Sequence, residues 1–222
     1  MTAFVWGGGA MFVTALALTG YTFTVTWAQV RPFDAVAVAL DSALFTVFAL
    51  HHSVFARESV KHRLTALLPE PLLRSVYVWL ASLLLIAVCL AWRPVGGELY
   101  ALRGLSGYAL AAAQLLGVAI IAGAVRVIDP LELAGIRQHS GSDALQIVGP
   151  YRWVRHPIYS GWLLVTFGAA HMTGDRLIFA GISTMYLLIA MPFEERSLRM
   201  SFGKAYEDYV RRVPYRVIPY VY

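Results

Sequence analysis

The chain holds a single cysteine, Cys89, inside an apolar run. No disulfide can form within it and no Cys-x-x-Cys metal or redox motif exists, so the thiol reads as buried and inert. Charge is scarce too: Asp, Glu, Lys and Arg make up 14% of the residues, against about 25% in a soluble domain. The six histidines include one adjacent pair, His51-His52. That falls short of the many closely spaced histidines a membrane di-iron enzyme needs. No metal-ligand grouping stands out and no metal is expected. There is no low-complexity segment, and none of the repeats or broken helices that mark many transporters.

Apolar residues fill the space these absences leave. They form 59% of the chain, and mean hydropathy is +0.63. The expected fold is all-α: a polytopic membrane helix bundle of about six spans, with a C-terminal helical hairpin and an interfacial amphipathic helix. The six apolar runs are Phe4–Trp27, Ala35–Phe55, Ser75–Trp92, Leu105–Ile128, Pro157–Met172 and Leu177–Phe193. The first exceeds a signal-peptide core and has no Lys or Arg before it, so it is expected to be a retained span. One domain over 1–222 is expected, made of a four-helix half at 1–128 and a hairpin with tail at 149–219.

Fourteen of the 18 Lys and Arg fall in the loop 56–74, in the stretch from Arg126 to Arg155, or in the tail after Glu195. The positive-inside rule then puts both termini and the hairpin mouth in the cytoplasm, in what reads as a bacterial inner membrane. The formal charge of +5 is read first as topology and second as attraction to anionic lipid or substrate. Neither a nucleic-acid partner nor a required protein partner is expected. The six tryptophans lie mostly near span ends, as an interfacial belt would. The small residues Gly107, Gly117 and Gly123 suit close helix packing. Asp41 is costly in lipid and must face a partner or a cavity. The loop 129–156, with Gln138, His139, Ser140 and Asp143, is long enough to act as a lid over a site.

The stretch from Gly149 to Glu195 organises the rest. It opens Gly149-Pro150-Tyr151-Arg152-Trp153-Val154-Arg155-His156-Pro157-Ile158-Tyr159-Ser160-Gly161 and closes on Glu194-Glu195. Between Pro157 and Phe193, two arms of about 17 residues flank Asp175, each long enough for roughly 26 Å of helix. Such a hairpin returns Glu194 and Glu195 to the membrane face of Arg155 and His156. Pro157 suits a first helical turn and keeps His156 extended. The helix start therefore offers N–H groups and a positive dipole end to an anion. Adjacent glutamates on a helix point about 100° apart, so one faces inward and the other outward. A basic helix start, an acidic helix end and Tyr151, Tyr159 and Tyr206 for an aromatic base suit one ligand class, an α-amino acid carrying an adenosine. Past Glu195, Leu198, Phe202, Tyr206, Tyr209 and Val213 form the apolar stripe of an amphipathic helix. Pro214 and Pro219 end it.

The residues Arg155-His156-Pro157-x-Tyr159-x-Gly161, then Glu194-Glu195-x-x-Leu198-x-x-x-Phe202-Gly203-x-x-Tyr206-x-x-Tyr209 and Val213-Pro214, resemble isoprenylcysteine carboxyl methyltransferases and their bacterial relatives. Phospholipid N-methyltransferases share a looser version. The resemblance covers residues 149–219. It implies S-adenosylmethionine held at the hairpin mouth by His156, Tyr159, Gly161 and Glu194 or Glu195, with Pro150 and Tyr151 as further lining; Gly149, Arg155, Pro157 and Tyr206 complete the candidate cofactor residues. The N-terminal half, through Phe48-Ala49-Leu50-His51-His52-Ser53-Val54-Phe55-Ala56-Arg57, Arg74-Ser75-Val76-Tyr77-Val78, Trp92-Arg93-Pro94 and Gly135-Ile136-Arg137-Gln138, resembles bacterial thiol methyltransferases of the methanethiol S-methyltransferase type. The same half also resembles proteins linked to nitrogen-oxide metabolism.

These resemblances imply methyl transfer to a small or hydrophobic acceptor entering from the lipid. A thiol is the leading candidate, with a prenylcysteine carboxylate or a lipid amine as alternatives. Arg196 and Arg199 are candidates for favouring the thiolate, and Glu195 for taking its proton. The alternative from another class is a haem-binding or accessory membrane protein built around His51 and His52.

Overall fold

A computed structural model describes residues 2–55, 60, 64, 69–136 and 145–222. The helices are α1 (Thr2–Tyr21), continued by a π-helical turn at Thr22–Thr26, then α2 (Ala35–Phe55), α3 (Glu70–Ala91), α4 (Gly104–Ile128), a short α5 (Pro130–Leu133), α6 (Pro157–Phe167), α7 (Gly174–Phe202) and α8 (Lys204–Arg212). A 3-10 turn occupies Gly149–Arg152, and two short extended stretches, β1 (Glu98–Ala101) and β2 (His171–Thr173), complete the elements of the described residues. Five of the helical stretches are long and apolar enough to cross a bilayer, so the protein is an integral membrane protein. The residues divide into two compact units, each assembled from segments distant in sequence.

The first unit comprises Met1–Leu99, Leu131–Ser140 and Thr173–Ile182. Here α1 and α2 pack on α3, which starts behind Pro69 and ends at Trp92 ahead of Pro94. Asp175, buried at the start of α7, accepts hydrogen bonds from Trp92 Nε1 (2.9 Å), Val95 N (2.9 Å) and Gly96 N (3.0 Å). Arg176 reaches the π-helical turn, donating from Nε to the Phe23 carbonyl (2.8 Å) and from Nη2 to Thr24 (2.9 Å). Those carbonyls lose regular α-helical partners where α1 unwinds, so the guanidinium replaces them. Thr173 Oγ1 donates to the Trp27 carbonyl. The expectation for Asp41 holds: it is buried and accepts the Arg93 N–H at 3.0 Å. Cys89 is buried, as expected, with its sulfur 3.4 Å from Thr19 Oγ1.

The second unit comprises Tyr100–Pro130, Gly141–Met172 and Ser183–Tyr222. Helix α4 packs on α6 at a glycine crossing. A Cβ on Gly161 would lie 2.6 Å from the Gly117 carbonyl, and one on Gly117 2.6 Å from the Gly161 carbonyl. Gly123 faces the Pro150 ring more loosely, with 3.3 Å left to a Cβ, so the small residues of α4 do serve close packing. Gln114 Nε2 donates to the Val165 carbonyl (2.8 Å) and Trp162 Nε1 to Ser183 Oγ (2.9 Å). Tyr206, Tyr209 and Val213 form a small core with Leu198 and Phe202.

Three expectations need correction. The arms of the hairpin are unequal: α6 has 11 residues and α7 has 29. Helix α6 stops at Gly168, where a Cβ would strike the Leu164 carbonyl and Gln114. The apolar run to Met172 continues instead as β2, because buried extended chain is as apolar as buried helix. At about 1.5 Å per residue, α6 reaches roughly 16 Å, short of the ~30 Å hydrocarbon core. The amphipathic tail is two helices, since α7 carries on through Pro192 and Glu195 to Phe202 and breaks at Gly203, whose φ is +51°. Trp27 and Trp92 are buried core residues, their rings tilted at 45° with centroids 4.6 Å apart, and both pack on Phe179. Only some of the tryptophans, Trp6 and Trp153 among them, are exposed as an interfacial belt would be. The candidate lid residues Gln138, His139, Ser140 and Asp143, like Arg57, Lys61 and Arg63, lie outside the described residues.

Candidate functional site

Pro157 opens α6 at its first position, and the preceding His156 adopts φ −122°, ψ 64°, off the helical region as a residue before proline should be. Gly149 takes φ +58° and starts the 3-10 turn that leads the chain toward Arg155. The far end of α7 comes back to this point. Residues forty apart in sequence meet as a single ionic cluster.

Glu195 is its centre and is 1% exposed. Its Oε1 accepts from Arg155 Nε at 2.8 Å, with Arg155 Nη2 also at 2.8 Å and His156 Nε2 at 3.4 Å. Its Oε2 faces Arg216 Nη2 at 3.4 Å and Arg199 Nη2 at 3.8 Å. Glu194 turns the other way and leaves its side chain 48% exposed. It accepts the Tyr159 hydroxyl at 2.7 Å and lies 3.6 Å from His156 Nδ1. The imidazole of His156 is thus buried between the two carboxylates, with the Tyr159 ring stacked 5.1 Å away.

The basic helix start is not open. Arg155 Nη1 donates to the carbonyls of Val213 (2.9 Å) and Pro214 (2.6 Å). The backbone N–H groups of Arg155 and His156 bond to the carbonyls of Tyr215 (3.0 Å) and Arg216 (2.8 Å). Those of Tyr159 and Ser160 turn back to the His156 carbonyl, and Ser160 Oγ donates to Val217 at 2.5 Å. The C-terminal segment 213–217 is therefore strapped along 155–160, and most donors expected to meet a ligand anion hold this strap instead.

Tyr206 is wholly buried, and its hydroxyl has no hydrogen-bond partner among the described residues. Burial pushes its phenol up to about 12, so at neutral pH it remains a donor. Its ring carries the Arg199 guanidinium at 5.7 Å. Tyr209 donates to the Tyr151 carbonyl at 2.8 Å, and burial raises the Tyr151 phenol above its ordinary range. Arg199 also bonds Glu207 at 3.1 Å. Arg196 is exposed, and none of these bonds involves it.

The structure thus brings together Arg155, His156, Tyr159, Glu194, Glu195, Arg199 and Tyr206. Pro150 and Gly161 sit in the packing between helices, where Pro150 abuts Gly123 and Gly161 abuts Gly117. Pro157 is buried at the head of α6. Arg216 was not anticipated. The only signal for it was its place two residues after Val213-Pro214, which carries no information about a partner at Glu195.

A model of the phospholipid methyltransferase family matches residues 102–205, which include the mouth from Gly149 to Glu195. Fold, mouth and match together define a membrane methyltransferase. Over 197 residues the chain is 37% identical to methanethiol S-methyltransferase of Crocosphaera subtropica, covering 83% of this chain and 76% of the relative. Over 225 residues it is 35% identical to the Mycobacterium tuberculosis protein of the same name, covering 93% and 92%. Similarity to protein-S-isoprenylcysteine O-methyltransferase B of Arabidopsis thaliana is 36% but spans only 69 residues. The chain belongs to the methanethiol S-methyltransferase family of integral-membrane enzymes.

Proposed function

We propose that the protein transfers a methyl group from S-adenosylmethionine to a small thiol, at the edge of the cluster formed by Tyr159 and Glu194 and on the cytoplasmic side of the membrane. The observation that carries this reading is similarity over 83% and 93% of the chain to relatives named for methanethiol S-methylation. Similarity to the prenylcysteine enzyme is confined to 30% of this chain, which favours thiol over carboxylate.

The residues present suit the donor. Glu194 keeps an open carboxylate edge for a cationic group, Tyr206 offers a buried unpartnered hydroxyl, and Arg196 is an exposed cation for a carboxylate. When bound, S-adenosylmethionine supplies a sulfonium methyl that an acceptor thiolate takes, with the electron pair of the broken C–S bond returning to the donor sulfur. Glu194, Tyr159 and His156 hold the mouth in shape, and orientation of the two reactants is the main catalytic contribution. Glu195 is unsuited to accept a proton from the thiol, because Arg155, His156, Arg199 and Arg216 surround both its oxygens. The thiol proton instead leaves to water at the half-exposed Glu194 edge.

Purified protein incubated with methyl-labelled S-adenosylmethionine and methanethiol, a prenylcysteine analogue or a phospholipid amine tests this. Label in dimethyl sulfide alone is the expected result. Label only in an ester or a lipid amine would displace the thiol reading.

A further inference from the structure

We infer that the acceptor occupies a narrow cavity beneath Tyr159, and that its walls restrict the acceptor to thiols of one or two carbons. This rests on the thiol reading above and adds where the thiol sits and what limits its size. The cavity measures about 10 Å³, and Tyr159 forms one wall, with Leu163, Thr184, Leu187, Met191 and Val217. Tyr159 thus belongs to both the cavity and the mouth, since its hydroxyl is fixed on Glu194 at 2.7 Å.

Two features fit a small thiol. Thr184 Oγ1 is buried and has no hydrogen-bond partner among the described residues. It lies behind an apolar wall and exposes no surface to the cavity as it stands, so a turn of its side chain would bring the hydroxyl to a sulfur anion; a buried polar atom left unpaired calls for an explanation. The cavity as it stands accommodates about one water-sized body. A two-heavy-atom acceptor needs only the ends of Leu187 and Met191 to give way, and an unbranched Met adapts readily. A second carbon crowds that space, and a longer chain has none. Leu188 borders the partly open cavity and is 43% exposed on the apolar surface of α7, so a greasy acceptor enters from lipid. The Val217 wall is held by Ser160 at 2.5 Å, as part of the strap that Arg155 anchors. The large cavity of about 290 Å³ in the first unit, lined by Thr22, Trp27, Cys89, Trp92 and Asp175, shares no residue with the mouth.

The test uses full-length protein in detergent. kcat/KM is measured for methanethiol, ethanethiol and 1-butanethiol in the wild type and in Leu187→Ala and Leu163→Ala. The wild type is expected to lose about 10-fold or more per added methylene. At least one variant should raise the butanethiol-to-methanethiol ratio by about 10-fold or more. A second readout needs no turnover. In Thr184→Cys, methyl methanethiosulfonate should label the introduced thiol and the benzyl reagent should not, until Leu187→Ala is added; intact mass reads both, with wild type as the Cys89 background. Methanethiol turnover with an unmoved ratio in both variants overturns the cavity and leaves the thiol reading standing. Labelling that ignores reagent size overturns the cavity as well. Size-selective labelling in a protein that methylates no thiol supports the cavity and overturns the thiol reading.

Discussion

Arg155 grips Glu195 through two nitrogens, Nε and Nη2, each 2.8 Å from the same carboxylate oxygen. Both side chains are almost fully buried, at 5% and 1% exposure. Since Arg155 also holds the carbonyls of Val213 and Pro214, this pair fastens the end of α7 and the C-terminal strap to the head of α6. Removing one member of a buried pair leaves the other uncompensated.

Glu195→Gln should therefore cost stability on the order of 3 kcal/mol, as well as activity. A lowered Tm in detergent and faster proteolysis of the C-terminal segment are the expected readings. A melting curve equal to wild type would show that the network is dispensable for folding.

Glu194→Gln should behave differently. Its side chain is half-exposed, and its buried neighbour His156, 3.6 Å away, keeps Glu195 on its other nitrogen, so Tm should stay within a degree or two of wild type. Binding of S-adenosylmethionine, measured by calorimetry, should weaken at least 10-fold. Equal binding by this variant and wild type would remove Glu194 from the donor site.

Tyr159→Phe deletes the hydrogen bond to Glu194 while keeping the ring against His156. Loss of one such bond to a charged acceptor is worth about 1.5–3 kcal/mol, or roughly 10-fold to 100-fold in kcat/KM. Stopped-assay kinetics on methanethiol would read this, and a change under twofold would argue against any role for the hydroxyl.

Gly161→Ala places a Cβ 2.6 Å from the Gly117 carbonyl. Backbone cannot retract as a side-chain tip can, so α4 and α6 must separate, at a cost of about 1–3 kcal/mol. Reduced Tm is expected, and weaker donor binding would follow from displacement of Tyr159 on the same helix. Unchanged Tm would mean that the crossing is looser than it looks.

Asp175→Ala should destabilise the first unit by roughly 3 kcal/mol or more, because Trp92 Nε1 and the Val95 and Gly96 amides would be buried without an acceptor. Asp175→Asn retains an acceptor oxygen and should cost less. The order of the two Tm values is the check.

Much of this was legible from local pattern. The spans over 35–55 and 104–128 follow from run length and hydropathy, because a membrane helix satisfies its own backbone and needs no partner to be specified. That His156 would meet a Glu194-Glu195 pair followed from the return of the chain after Asp175. Which carboxylate would be buried did not follow, since a helix turns about 100° per residue and its rotation is set by what packs on it. Arg155 and Arg199 fixed Glu195 inward, with Arg216 arriving from the C-terminal strap. The length of α6 was equally hidden, because the helix ends at Gly168, packed too close to Gln114 for any side chain, while the residues beyond stay apolar. By itself the sequence determined a membrane bundle, five of the six spans expected of it and the residue types at the mouth, all consequences of short-range chemistry. Only the tertiary structure decided which charges pair and which remain free, because ion pairing in a buried site depends on the simultaneous position of segments far apart in the chain.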